Sequence, residues 1–379
     1  MFNKLSKCYN KLSNQDRTPD FLTPSYLPSL DGWRAIGVIM VLFGHAKLSR
    51  NVPTVVHTFL DKTIYAELGV QIFFVLSGFL ITIILIKTKQ KFRTISLKEF
   101  YIKRALRILP VFYLYLFVLF ILNLLMGLNL NWQNFTGPLL FVNNFKLFDS
   151  TWLTGHTWSL AVEEQFYLLW PLAFILMPKK GWLFCLSVIL AKVVLNVFWY
   201  LKPEFYNITM GPFLSRSDAL LTGCLSAILC FKGFFNNKQK IWSKWHLPAL
   251  CAIAILLIYH HYNARLFGVL LVPFGDLVSN TLIMFLIIQS VINRKSLLFK
   301  ILNLKIIKKI GVLSYSIYIW QQLFLVPKDY NNAVFWNIFP YNILFALCTA
   351  YLSYTYFESF FLRLKDHLRK NHPIAIKGS

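Results

Sequence analysis

Ten apolar runs, centred roughly on residues 30–48, 68–86, 109–128, 158–177, 181–200, 212–231, 247–260, 267–292, 311–327 and 338–362, decide what this chain can become. Inside hydrocarbon no water is present to satisfy backbone amides, so apolar segments of this length must span as helices. The 379 residues are 57% hydrophobic with a mean hydropathy of +0.55, which is too apolar for a soluble core. The expected fold class is therefore all-α, a polytopic membrane protein of about ten transmembrane helices. The eighth run holds Pro273, Gly275 and Asp276, a composition that suits a broken helix or an interfacial piece followed by a span.

A net charge of +24 raises the question of nucleic acid, but the basic residues lie between the apolar runs rather than on a soluble face. Topology accounts for them better. Residues 1–30, 87–107, 179–180, 232–246, 294–309 and 363–379 hold 29 of the lysines and arginines, whereas the alternate loops hold only seven. The positive-inside rule then places both termini in the cytoplasm and requires an even number of spans. Three regions follow: a cytoplasmic tail at 1–26, an integral-membrane domain at 27–362, and a basic cytoplasmic tail at 363–379. The first tail has no cleavable signal pattern, so the first span must direct insertion. Six cysteines show no metal spacing; Cys185, Cys224, Cys230, Cys251 and Cys348 read as small packed hydrophobes, and Cys8 as a reduced thiol in the N-terminal tail.

Within the first run, LDGWRAIGVIMVLFGH places Arg34 and His45 eleven residues apart. That is about three helical turns, so both share one helix face, roughly 16 Å apart along the axis. The second run contains Ser77 and Gly78, which suit close helix packing or room for a threaded ligand. Arg104 and Arg107, three apart at the mouth of the third run, belong either to an ordinary positive-inside loop or to a phosphate-binding pair. The outer loop at 129–157 is rich in Asn, Trp and Phe, as an interfacial belt or a sugar-binding surface would be.

The fourth run opens with GHTWSLAVEEQFYLLWP, where Ser159 and Glu163 share a face and Glu164 points about 100° away. Paired carboxylates at that level face an interior or a wet cavity, which marks a site. His156 is either a polar residue of the interface or part of that site. Trp158 and Glu164 beside this face are candidate substrate contacts. So are Arg216 and Asp218 at the start of the sixth run, unless those two simply neutralise each other. Late in the chain, Ser314, Tyr315 and Tyr318 suit hydrogen bonds between helices, and Glu358 suits pairing with a nearby Arg or Lys. On the expected topology His45 and the Ser159/Glu163 face lie at one depth in the outer half of the membrane. A histidine beside a carboxylate can act as a general base towards a hydroxyl, and cations on the cytoplasmic side can hold an anionic donor.

LDGWRAIGVIMVLFGH, GVQIFFVLSGFLI, RALRILP, HTWSLAVEEQFYLLWP, RSDALLTG and GVLSYSIYIW together resemble the acyltransferase 3 family of integral-membrane acyltransferases, over about 27–361. The resemblance implies a ten-helix protein of the bacterial cytoplasmic (inner) membrane. It also implies transfer of an acyl group, usually acetyl from cytoplasmic acetyl-CoA, to a hydroxyl of a carbohydrate outside, such as O-antigen, capsule or exopolysaccharide, or its lipid-linked precursor. Carried over, His45 is the catalytic base, Glu163 its carboxylate partner and Ser159 the third residue of that motif, while Arg34, Arg104 and Arg107 hold the CoA phosphates. The chain departs from the pattern at Gln321, where relatives often have His, and at Glu358, Ser359 and Phe360, where they have Glu-Arg-Pro. It ends soon after the last run, without the hydrolase-like domain fused to some relatives, so a two-step relay implies a separate protein. Other acceptors compatible with the residues are a lipid, an antibiotic or a glucan, with an acetyl or succinyl donor. A proton-coupled transporter or flippase is the rival of another class, although the two halves show no internal repeat.

Overall fold

A computed structural model describes residues 18–370 apart from 25, 146, 178, 206–213, 215, 237–238, 243 and 331–333; most of the N-terminal tail with Cys8, and residues 371–379, lie outside the described residues. Helices occupy all ten apolar runs: α1 Pro28–Ala46, α2 Ala66–Phe92, α3 Leu97–Met126, α4 Thr157–Leu176, α5 Gly181–Leu201, α6 Ser217–Phe231, α7 Leu247–Asn263, α8 Gly268–Ile292, α9 Lys305–Phe324 and α10 Tyr341–Leu352. A π-helical segment, Ser353–Glu358, continues α10 into α11, Ser359–Lys370. No strand occurs among the described residues, and Arg50 and Ile338 form an isolated bridge. Five helical stretches, Thr54–Phe92, Leu97–Met126, Trp152–Leu176, Gly181–Leu201 and Gly268–Ile292, are long and apolar enough to cross a membrane; α6 and α7 are shorter apolar helices.

The expected break in the eighth run is absent. α8 continues through Pro273, its sixth residue, although that proline removes the amide bond to the Val269 carbonyl. Asn196 donates to the Pro273 carbonyl at 3.4 Å.

The chain divides into two compact units. Unit 1 comprises residues 1–35, 71–95 and 170–311. Its helices approach backbone to backbone: a Cβ at Gly78 would lie 1.8 Å from the Leu220 carbonyl oxygen, and one at Gly223 would lie 2.1 Å from that of Val75. Ser77 and Gly78 thus belong to a helix-packing seam. Trp170 donates to Thr82 at 2.9 Å, and Trp33 to Ser290 at 3.0 Å. Unit 1 also buries a polar network. Gln71 donates to Asn280 at 2.7 Å, Asn280 to Asp218 at 2.8 Å, and Tyr259 to Gln71. The buried Lys192 reaches Asn196 and lies over the Trp199 ring, 4.7 Å from its centroid.

Unit 2 comprises residues 36–70, 96–169 and 312–379. Ser96 caps α3 by accepting from the Glu99 amide, and Gly127 ends it in a left-handed conformation (φ 63°) that a side chain would resist. Tyr315 of α9 donates to the Ile108 carbonyl at 2.7 Å, and Asn342 of α10 to Ser49 at 2.8 Å. Phe117, Phe120, Leu124 and Leu125 are exposed along α3, as a lipid-facing side requires.

Replacing Gly78 by Ala forces two backbones apart in a seam that has no flexible side chain to yield. Gly78→Ala should therefore destabilise by about 1–3 kcal/mol, read as a lowered Tm in detergent. Gly155→Ala, where a Cβ would meet nothing within 4 Å, should leave Tm unchanged or slightly raised.

Candidate functional site

Unit 2 gathers its polar chemistry where the end of α1, the start of α4 and the C-terminal end of α9 meet. Two neighbouring glutamines on α9 each hold a histidine. His45 donates from Nδ1 to Gln321 Oε1 at 2.8 Å. Gln322 Oε1 accepts from the His156 backbone amide at 3.1 Å and from His156 Nδ1 at 2.7 Å. Carbonyl oxygens can only accept, so both rings carry their proton on Nδ1, which leaves Nε2 of His45 as the basic nitrogen. The two histidines are close enough to interact electrostatically.

Aromatic rings wall this site. Trp152, from the short helix Trp152–Gly155, packs edge-on to His45 with ring centroids 5.2 Å apart. Tyr115 of α3 packs edge-on to His156 at 5.3 Å and to Trp320 at 5.5 Å. The outer loop is pinned at this point: Asn143 donates to the Thr154 carbonyl at 3.1 Å and to the Thr157 hydroxyl at 2.9 Å.

Ser159 is buried, and its hydroxyl lies 2.5 Å from that of Tyr318; both hydroxyls also reach the His156 carbonyl, at 3.2 and 3.0 Å. Each hydroxyl has one proton, so only two of these three bonds form at once. Either arrangement ties α4 to α9 and fixes the turn that carries His156. Glu163 follows one turn later and is half-buried, and Trp158 lies beside Ser159 on α4.

Deeper along α4, the Arg104 guanidinium stacks over Tyr167, 4.2 Å from the ring centroid. Eight residues separate Tyr167 from Ser159, about 12 Å at 1.5 Å per residue, so unit 2 holds its arginines and its histidines at distinct levels. The arginines are faced by acids. Arg104 and Glu163 both act on Glu164, while Arg107 and Lys365 act on the buried Glu358, which accepts from Ser316 at 2.5 Å. Arg104 Nε and Glu164 Oε1 are buried with no hydrogen-bond partner.

The remaining expected site residues fall in unit 1. Arg34 pairs with Asp31 at 2.8 Å, one turn earlier on α1, and Tyr26 donates to the same carboxylate at 2.6 Å. Partial burial and that hydrogen bond push the Tyr26 phenol up to about 12, so it stays a donor at ordinary pH. Arg216 takes its ion pair with Asp276 at 2.9 Å, and Asp218 receives its hydrogen bond from Asn280, so the expectation of an Arg216–Asp218 pair gives way to partners from α8. Sequence separation hid this, since α8 begins some fifty residues later.

His156 moves from an even choice to a residue of the site, and Gln321, Gln322 and Trp152 join it. Two adjacent amides inside an apolar span were the available signal, because hydrocarbon does not tolerate them without a partner.

The same motifs define the class. A family model described as an acyltransferase domain, Acyl_transf_3, matches residues 27–358, and the chain belongs to that family. It is 29% identical over 330 residues to the peptidoglycan O-acetyltransferase OatA of Listeria monocytogenes, covering 78% of this chain and 49% of the relative. It is 27% identical to the putative peptidoglycan O-acetyltransferase YrhL of Bacillus subtilis (88% and 54%) and 27% identical to the O-acetyltransferase OatA of Staphylococcus aureus strain NCTC 8325 (90% and 58%). The chain thus spans about half the length of these relatives. No solved structure matches it.

The hydroxyls of Ser159 and Tyr318 serve one shared connection, so their losses should overlap. Tyr318→Phe should cost about 1 kcal/mol, and Ser159→Ala on top of it should cost less than Ser159→Ala alone. A double-mutant cycle of unfolding in detergent measures the difference.

Proposed function

We propose that the chain is an integral-membrane O-acetyltransferase that moves an acetyl group from cytoplasmic acetyl-CoA to a hydroxyl of a surface glycan. The observation that carries this reading is His45 with its Nδ1–H held by Gln321, which presents a neutral imidazole to a substrate hydroxyl. The ten-span topology with both termini in the cytoplasm of a bacterial inner membrane follows from the distribution of lysine and arginine. Among glycan acceptors, peptidoglycan is favoured over O-antigen, capsule or exopolysaccharide by the names of the relatives.

In this reading the acceptor hydroxyl gives its proton to His45 Nε2 as its oxygen attacks the acyl carbon. A C–O bond forms, the C–S bond breaks, and the imidazolium returns the proton to the departing thiolate. Gln321 orients the ring but, being neutral, cannot offset the imidazolium charge; Glu163 is assigned that electrostatic role. Ser159 positions the turn carrying His156 through Tyr318. Trp158 and Glu164 are assigned to the acceptor. Arg104 and Arg107 are assigned to the donor phosphates, and the stacked guanidinium of Arg104, with its Nε unpaired, suits that ligand.

His45→Ala should leave the protein in the membrane and abolish transfer of labelled acetyl from acetyl-CoA to glycan; full transfer in that variant would remove the base. Arg104→Ala combined with Arg107→Ala should raise KM for acetyl-CoA by about tenfold or more, the scale of a lost charge-assisted contact, with an unchanged KM counting against the phosphate assignment.

A further inference from the structure

Buried polar atoms without partners are rare, and each one left in a folded protein has to be explained. Around the two histidines of unit 2 there are four: Gln321 Nε2, Trp152 Nε1, Trp320 Nε1 and His156 Nε2. Two of these sit on residues that touch His45 directly. Gln321 is fully buried, and its Oε1 is committed to His45 Nδ1, so its amide N–H groups project from a point fixed by that bond. Trp152 holds its ring edge-on to the same imidazole, with its indole N–H also unpaired. Both atoms are donors and neither can accept, so the ligand they lack supplies an acceptor.

We propose that Gln321 Nε2 and Trp152 Nε1 form a binding site for the acyl carbonyl oxygen, and that Gln321 therefore serves both base and substrate. This inference rests on the acetyltransferase reading given above. An acyl thioester offers one strong acceptor at its reacting carbon, the carbonyl oxygen, which gains negative charge as the acceptor hydroxyl adds. In that step the C–O bond forms, the carbonyl π electrons move onto oxygen, and the hydroxyl proton passes to His45 Nε2. The two N–H groups hold the oxyanion until its electrons return, the C–S bond breaks and the thiolate recovers the proton. Donors fixed in advance in a site closed to water are worth most where charge develops, and they cost no reorganisation at the moment of reaction. The arrangement also links two requirements: the amide that fixes the histidine tautomer places a donor beside that histidine, so base and oxyanion site keep one spacing.

A ketone analogue of acetyl-CoA, S-acetonyl-CoA with a ¹³C-labelled carbonyl, keeps that oxygen but cannot transfer its acyl group. Isotope-edited infrared spectroscopy of the analogue bound to the full chain in detergent reads the hydrogen bonds it receives. In the wild type the carbonyl band should lie below its position in water, and Trp152→Phe and Gln321→Leu should each move it back up while the analogue still binds. In turnover, Trp152→Phe should lower kcat by about 10²-fold with KM for acetyl-CoA nearly unchanged; a packing role alone predicts no such loss, since Phe keeps the ring contact. Gln321→Glu retains an oxygen for His45 Nδ1 but loses the donor, so it too should lose kcat. An identical carbonyl band in the wild type and both variants, or Trp152→Phe within threefold of wild-type kcat while His45→Ala is inactive, overturns the oxyanion site and leaves the base in place. Failure of the wild type to bind the analogue saturably, or full activity of His45→Ala, overturns the acetyltransferase reading and this inference with it.

Discussion

Hydrocarbon does not forgive an unpaired hydrogen-bonding group, and most of what this protein does with its polar side chains follows from that penalty. Transfer of an amide or hydroxyl out of water without a partner costs several kcal/mol on hydrocarbon scales, comparable with a large part of a domain's net stability. Helices answer it for the backbone. For side chains the answer differs between the two units. In unit 1, Gln71, Asn280, Asp218 and Tyr259 are joined in a chain of mutual bonds, while Asp218 Oδ1, Ser279, Trp242 Nε1, His261 Nδ1 and Gln289 Oε1 are left over at scattered positions. In unit 2 the unpaired atoms concentrate around His45 and His156. Unpaired donors beside an imidazole are what an incoming acceptor would need.

The amide at Nδ1 matters because it separates two jobs that a carboxylate would perform together. A carboxylate against an imidazole both orients the ring and stabilises its cation; an amide does only the first. His45 is held in one tautomer by a neutral group, so the electrostatic support for an imidazolium must come from elsewhere in the site. In the proposed reading that support is assigned to Glu163, a turn beyond Ser159 on α4. On the proposed reading the departure at Gln321 redistributes these roles, and the other half of the amide offers donors, which a carboxylate does not.

Helix positions were legible because they depend on local composition alone: all ten runs hold helices, and Gly78 met a backbone as its small size suggested. Motif residues on single helices were legible too, since Ser159 and Glu163 need only helical periodicity to share a face. Pairings were not. Gln321 lies 276 residues from His45, and Asp276 lies 60 from Arg216. Nothing local selects such partners over nearer ones, so Asp218 looked like the mate of Arg216. Pro273 misled for the opposite reason: a single proline removes one amide bond, and the flanking turns of α8 carry the helix through it.

The levels along α4 carry the last step. Tyr167 and Arg104 sit about 12 Å below Ser159, so a ligand with phosphates among the arginines and a reactive group beside His45 has to be long and threaded along the helix. The arginines are not bare in the meantime, because Glu164 and Glu358 face them. Those acids offset the cost of holding guanidinium groups away from water while no phosphate is present. An arriving phosphate competes with the carboxylates for the arginines, and its like charge opposes theirs. If the donor binds there as proposed, it has to rearrange this charge cluster before its reactive group reaches the histidine level, which would couple donor entry to the chemistry above it.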